Sequence, residues 1–124
     1  MTDLGNRQIH LDFHTSGSID PIASRFDADA FATRLADADV TSVNVFAKCH
    51  HGYSYYPTDV GTAHPGLSRD LLGEQLTALR RRGIKAPVYV SVLWDDLAGV
   101  LHPEWIATDR QGRRCGDSRH PVPR

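Results

Sequence analysis

The stretch Thr41-Ser-Val-Asn-Val-Phe-Ala-Lys-Cys49 alternates with period 2, so Val43, Val45 and Ala47 share one face and Asn44, Phe46 and Lys48 the other. Two more stretches have the same character. In Gln8-Ile-His-Leu-Asp-Phe-His14, Ile9, Leu11 and Phe13 oppose His10, Asp12 and His14. In Ala86-Pro-Val-Tyr-Val-Ser-Val-Leu-Trp94, Val88, Val90 and Val92 oppose Tyr89, Ser91 and Leu93. All three read as strands with one aliphatic face and one mixed or polar face. Central strands of a doubly wound sheet are covered by helices on both sides and should be apolar on both. Strands of a (β/α)8 TIM barrel have helices outside only, and their inner face carries polar groups towards the active-site end. The parity favours the barrel.

Between the strands lie two helical patterns. Asp27 caps the first, expected to run to about Ala38 with Phe31, Leu35 and Ala38 on one stripe. Ser68 or Asp70 caps the second, expected to run to about Arg82 with Leu72, Leu76 and Leu79 facing inward and Gly83 at C′. The order β-α-β-α-β implies parallel strands joined by right-handed crossovers. A whole barrel needs about 250 residues, and this chain has 124. Residues 1–124 are therefore expected to be the N-terminal β-α-β-α-β portion of an incomplete (β/α)8 barrel, with three strands, two helices and a polar tail over 106–124. The runner-up is a complete small α/β protein with a loose tail.

Composition narrows the function. Fourteen Lys+Arg against fifteen Asp+Glu leave a net charge of −1, which argues against general attraction to nucleic acid or anionic membrane. No apolar run approaches the roughly 20 residues of a membrane span. Met1-Thr-Asp-Leu-Gly-Asn6 has neither the basic start nor the apolar stretch of a signal peptide, so a cytoplasmic location is expected. Cys49 and Cys115 read as free thiols, and the strand parity of Cys49 turns it towards the helices as a buried inert group.

Seven histidines are the unusual feature. In parallel α/β units the loops after the strands build the active site. Here those loops hold His14, then Lys48, His50, His51, Tyr53, Tyr55 and Tyr56, then Trp94, Asp95, Asp96, His102, Glu104 and Trp105. Neutral donors and acceptors mixed with aromatic faces suit sugars, whose hydroxyls need directed hydrogen bonds and whose C–H faces pack on rings. No Walker A loop and no Gly-x-Gly-x-x-Gly turn offers a phosphate cradle.

The strings Ile9-His-Leu-Asp-Phe-His-Thr15, Phe46-Ala-Lys-Cys-His-His-Gly-Tyr53, Tyr55-Tyr-Pro-Thr58, Asp70-Leu-Leu-Gly-Glu-Gln75 and His102-Pro-Glu-Trp105 resemble the N-terminal part of a family of hypothetical glycoside hydrolases. Its members are large bacterial proteins of α-L-fucosidase-like or β-galactosidase-like kind. Ala47-Lys-Cys-His-His-Gly-Tyr53 is also similar to the Ala-Lys-His-His-Asp-Gly-Phe segment of α-L-fucosidases, whose histidines hydrogen-bond the sugar. Aligned on Lys48, Cys49 falls on the first motif histidine and His50 on the second; aligned on Gly52, the pair shifts by one. His14 resembles the strand-one sugar-binding histidine of the same enzymes. The resemblance implies a TIM-barrel glycosidase acting on a carbohydrate, with a nucleophile after strand four and an acid/base later, both beyond Arg124. His14, Lys48, His50, His51, Tyr53, Trp94, Asp95, His102 and Trp105 are then the expected sugar-binding set.

Blander readings stand beside these. Asp95 and Glu104 are weak catalytic candidates, because they share one loop while most glycosidases use two carboxylates flanking the bond. Glu74 is expected on the solvent side of the second helix. His10, Asp12 and His14 can be read as ligands of a metal-dependent barrel hydrolase, or as a polar network with Asn44, Lys48 or Tyr89, which is favoured; no metal and no other cofactor is expected. Lys48 is expected to pair with Asp12 inside the barrel. Tyr53, Tyr55 and Tyr56 can pack their loop or touch a ligand, and Arg80, Arg81 and Arg82 are a solvated helix end. A non-catalytic truncated sugar-binding protein is a further alternative, and the sequence is compatible with a homo-oligomer of a longer protein.

Overall fold

The computed structural model describes residues 4–115. In chain order its elements are β1 (Gln8–His10), α1 (Ala28–Asp37), β2 (Ser42–Lys48), β3 (Tyr53–Ser54), β4 (Thr62–Ala63), α2 (Leu71–Arg81), β5 (Val88–Val90) and α3 (Asp96–Leu101), then a 3-10 turn at Pro103–Trp105. β2 lies between β1 and β5 and is parallel to both. The result is a mixed α/β sheet of mostly parallel strands.

Local chemistry sets the helices. The Asp27 carboxylate accepts the Ala30 N–H at 2.9 Å, and Asp70 accepts that of Gly73 at 2.8 Å. Each satisfies a donor that the first helical turn leaves open. Gly83, at φ +69, ends α2, and the next amide, of Ile84, returns to the Leu79 carbonyl at 3.0 Å.

Both helices pack on one face. Ala32 and Leu35 of α1 and Ala78 and Leu79 of α2 close over Val43 and Val45 of β2, with Val40 and Ile84 at the margin and Ile9 and Ala86 beside them. Burying an aliphatic side chain of this size contributes about 1.5–3 kcal/mol, so Val43 and Leu79, with no exposed surface, anchor the layer. The opposite face is aromatic: Phe46 stacks on Tyr89 at 4.4 Å, and His10 and His14 meet Phe46 edge-on at 5.5 and 5.1 Å.

The structure corrects the element list. Two short strands and a third helix, α3, are present that the sequence did not reveal, and β1 pairs only as far as His10 opposite Asn44. Further along, the edge of β2 opposite β5 belongs to β3, with Ser54 antiparallel to Lys48 and the Tyr55 amide on the Ala47 carbonyl at 2.9 Å. β5 likewise ends at Val90. The beginning of the expected tail is a closed turn: Thr108 pairs with Arg114, and Asp109 accepts the amides of Gln111 and Arg113. The remainder of that tail, 116–124, lies outside the described residues.

Candidate active site

The strand C-termini carry the cluster. His14 follows β1 and His50 follows β2, and their rings stand 4.3 Å apart at 33°. His51 continues the row, 4.3 Å from His50. His14 is partly buried, and its Nδ1 makes no hydrogen bond among the described residues. An imidazole nitrogen in that condition is a ready partner for a directed hydroxyl.

Lys48 is salt-bridged to Asp95, not to Asp12 as expected from the sequence. The register of β2 against β5 slips between Phe46 and Lys48, so Lys48 stands opposite Val90. Such an irregularity re-aims a side chain at a strand end. Asp12 instead accepts from His10 Nε2 at 2.8 Å and lies 3.4 Å from His14 Nε2. The His10 hydrogen bond holds its carboxyl below the usual carboxylate range, with the two neighbouring imidazoles adding to the effect. Asn44 Nδ2 donates to His10 Nδ1 at 2.8 Å, so part of the expected polar network exists, on an exposed edge.

Asp95 has two tasks. Its Oδ1 accepts the Ala98 N–H at 2.8 Å and caps α3, while its other oxygen meets Lys48. The following residue, Asp96, donates its amide to the His50 carbonyl at 2.8 Å and accepts from His51 Nδ1 at 3.0 Å. Gly52, at φ +90, permits this approach: a Cβ there would collide with Asp95 Oδ1 and Leu97. The β2–β3 loop and the start of α3 are thus locked together beside the histidines.

Behind the cluster, Tyr55 is wholly buried. Its hydroxyl donates to the Phe13 carbonyl at 3.2 Å and lies 3.1 Å from the Thr15 amide and 2.8 Å from the Thr15 hydroxyl. Burial, with the Cys49 thiol beside it, pushes this phenol above the ordinary tyrosine range. Cys49 is fully buried, in a cluster with Phe46, Tyr55 and Leu71 of α2. His64 is buried too. Its Nδ1 accepts the Gly66 N–H at 3.1 Å, so Nε2 carries the proton and donates to the Ser16 carbonyl at 3.0 Å. Tyr55 and His64 together pin the loop after β1, and so fix where His14 stands.

The remaining expected residues divide. Tyr53 lies against His64 at 5.3 Å and would block any side chain at Gly17. Trp94 is 55% exposed beside Asp95. His102 stacks on Trp105 at 3.8 Å and pairs with Glu104 at 3.2 Å, a local unit on the 3-10 turn. Glu74 is only partly exposed, because it grips Arg69, whose guanidinium also donates to the carbonyls of Ala23 and Phe26. Sequence reasoning missed His64 as a member of this region, for which the dense histidine content was the one available signal, and it placed Asp96 in the loop after the third strand without giving it a partner.

A family model described as hypothetical glycosyl hydrolase 6 matches residues 27–124. The chain belongs to that glycosyl hydrolase family. Tissue alpha-L-fucosidase of Bos taurus is 32% identical over 92 residues, which is 70% of this chain and 18% of the bovine one. Alpha-L-fucosidase isoenzyme 2 from Paenibacillus thiaminolyticus superposes with a TM-score of 0.82 at 43% identity, over 86% of this chain and 16% of that one. An alpha-L-fucosidase from Bacteroides thetaiotaomicron gives a TM-score of 0.53 at 26% identity, over 61% of this chain and 17% of its own. This glycosyl hydrolase chain thus spans less than a fifth of the length of these relatives. Among the described residues, no helix is long and apolar enough to cross a membrane.

Proposed function

We propose that this chain supplies the sugar-binding part of a glycoside-hydrolysing barrel site, and that the sugar is an α-L-fucoside or a close relative. The observation that carries the reading is the pairing of His14 with His50 at 4.3 Å, on the sheet face that the helices leave uncovered. Likeness to fucosidases in both sequence and fold supports the choice of sugar. Helices on one face only support a barrel wall, of which these parallel strands form the first part.

In this reading His14 and His50 exchange hydrogen bonds with ring hydroxyls, Lys48 and His51 border them, and Trp94 offers an apolar face. Asp95 holds Lys48 and the start of α3, so it positions the subsite and takes no part in proton transfer. Glu104 is engaged by His102 away from the pair. The nucleophile and the acid/base come from later strands of a longer barrel, across the anomeric carbon.

Titration calorimetry of the 124-residue chain with L-fucose, D-galactose and a non-cyclic polyol tests this. Saturable heat with L-fucose, lost in both His14→Ala and His50→Ala, is the expected result. Equal heats with the polyol, or undiminished binding in both variants, contradict it.

A further inference from the structure

We propose that His50, His51 and Asp96 form a site for a divalent transition-metal cation of the zinc class. One nitrogen from each imidazole and one oxygen of the carboxylate all lie within 4.8 Å of one another. The best-defined of these separations, His51 Nδ1 to Asp96 Oδ2, is 3.0 Å. A tetrahedral zinc centre with bonds near 2.0–2.1 Å holds its ligand atoms about 3.3 Å apart, so His51 and Asp96 already stand close to that spacing, and the His50 ring, within 4.8 Å of both, closes on the cation as it binds. Two imidazoles and one carboxylate are a donor set that zinc and its neighbours accept and that calcium and magnesium, which favour oxygen, do not.

The donors are held before any cation arrives. The Asp96 amide is bonded to the His50 carbonyl at 2.8 Å, and Asp95 caps the helix that carries Asp96. Lys48 is paired with Asp95, so its charge is compensated next to the site. A cation takes the position of the proton shared by His51 Nδ1 and Asp96 Oδ2, and that proton passes to solvent. It then joins the β2–β3 loop to α3 through metal bonds as well as hydrogen bonds. His50 is shared with the proposed sugar subsite, but the metal site rests on the geometry of these three side chains and not on sugar binding.

The test uses the full chain freed of metal with a chelator, in a Cys115→Ser background, since that exposed thiol is itself a zinc ligand. Zinc titration is followed by calorimetry and by thermal melting. The expected result is one equivalent bound and a raised Tm. Asp96→Asn and His51→Ala each weaken zinc binding by about tenfold or more, the loss that even an outer partner of a metal site can cause. His102→Ala, in an exposed imidazole–carboxylate pair outside the site, leaves binding unchanged. Metal-free melting of each variant shows which remain folded, and zinc-induced shifts of the His50 and His51 ring signals in the unmutated chain give a second readout. Absence of zinc binding, unchanged affinity in His51→Ala, unmoved His50 and His51 signals, or loss through His102→Ala overturns the proposal.

Discussion

His14 and His50 belong to loops that follow different strands, yet their rings lie 4.3 Å apart. Parallel pairing produces that contact, because neighbouring strands running the same way deliver their C-terminal residues to one edge. The two loops are then fixed independently, the first by Tyr55 and His64, the second by Asp95 and Asp96. A pair held from both sides is preorganised, and sugar binding does not have to order it.

Asp95 separates two contributions that a single substitution would merge. Asp95→Asn keeps an oxygen for the Ala98 amide but leaves Lys48, whose side chain is 28% exposed, without its counter-charge. We expect a loss of about 1–3 kcal/mol, between the values for exposed and buried pairs. Asp95→Ala should cost about 1 kcal/mol more through the lost cap. Urea unfolding of the two variants checks this, and equal stabilities would contradict the double role.

Tyr55 predicts a pH dependence. Its folded-state pKa is raised, chiefly by burial, so the folded chain holds the phenolic proton more tightly than the unfolded chain. Its contribution is fully present below the unfolded value near 10 and declines as pH rises above it, by up to about 1.4 kcal/mol per pH unit. Tyr55→Phe should cost about 1–3 kcal/mol at neutral pH, since it strips the Phe13 carbonyl of its buried donor. The gap between the two proteins should narrow above pH 10. A gap that stays constant with pH in chemical unfolding would refute the assignment.

α1 and α2 were legible because their signals are local: Asp27, Asp70 and Gly83 act on neighbouring backbone groups. The strand-end position of His14 and His50 was legible from parity and the order of elements. β3 and β4 were not, since two residues each are too few to show a period. The partner of Lys48 was not either: Asp12 and Asp95 are chemically equivalent choices, and the register slip before Lys48 decides between them. Asp96 was legible as a residue of the loop after the third strand, but its pairing with His51 was not, because that depends on Gly52 letting α3 approach.

Turnover gives a further expectation. Of the carboxylates first considered for catalysis, Asp95 is held by Lys48 and α3, and Glu104 sits with His102 on an exposed turn. The 124-residue chain should release no nitrophenol from nitrophenyl α-L-fucoside above the buffer rate. Release that disappears in Asp95→Asn or Glu104→Gln would place the catalytic groups within this chain.

The most direct measurement of the central claim is a histidine-ring NMR titration of the full chain with L-fucose, in the presence of a chelator. The ring signals of His14 and His50 should shift saturably, while those of His64, whose two nitrogens are both bonded internally, and of His102 should stay in place. Unmoved His14 and His50 signals at saturating sugar, or shifts of equal size at all four rings, would contradict the assignment of this cluster as the sugar subsite.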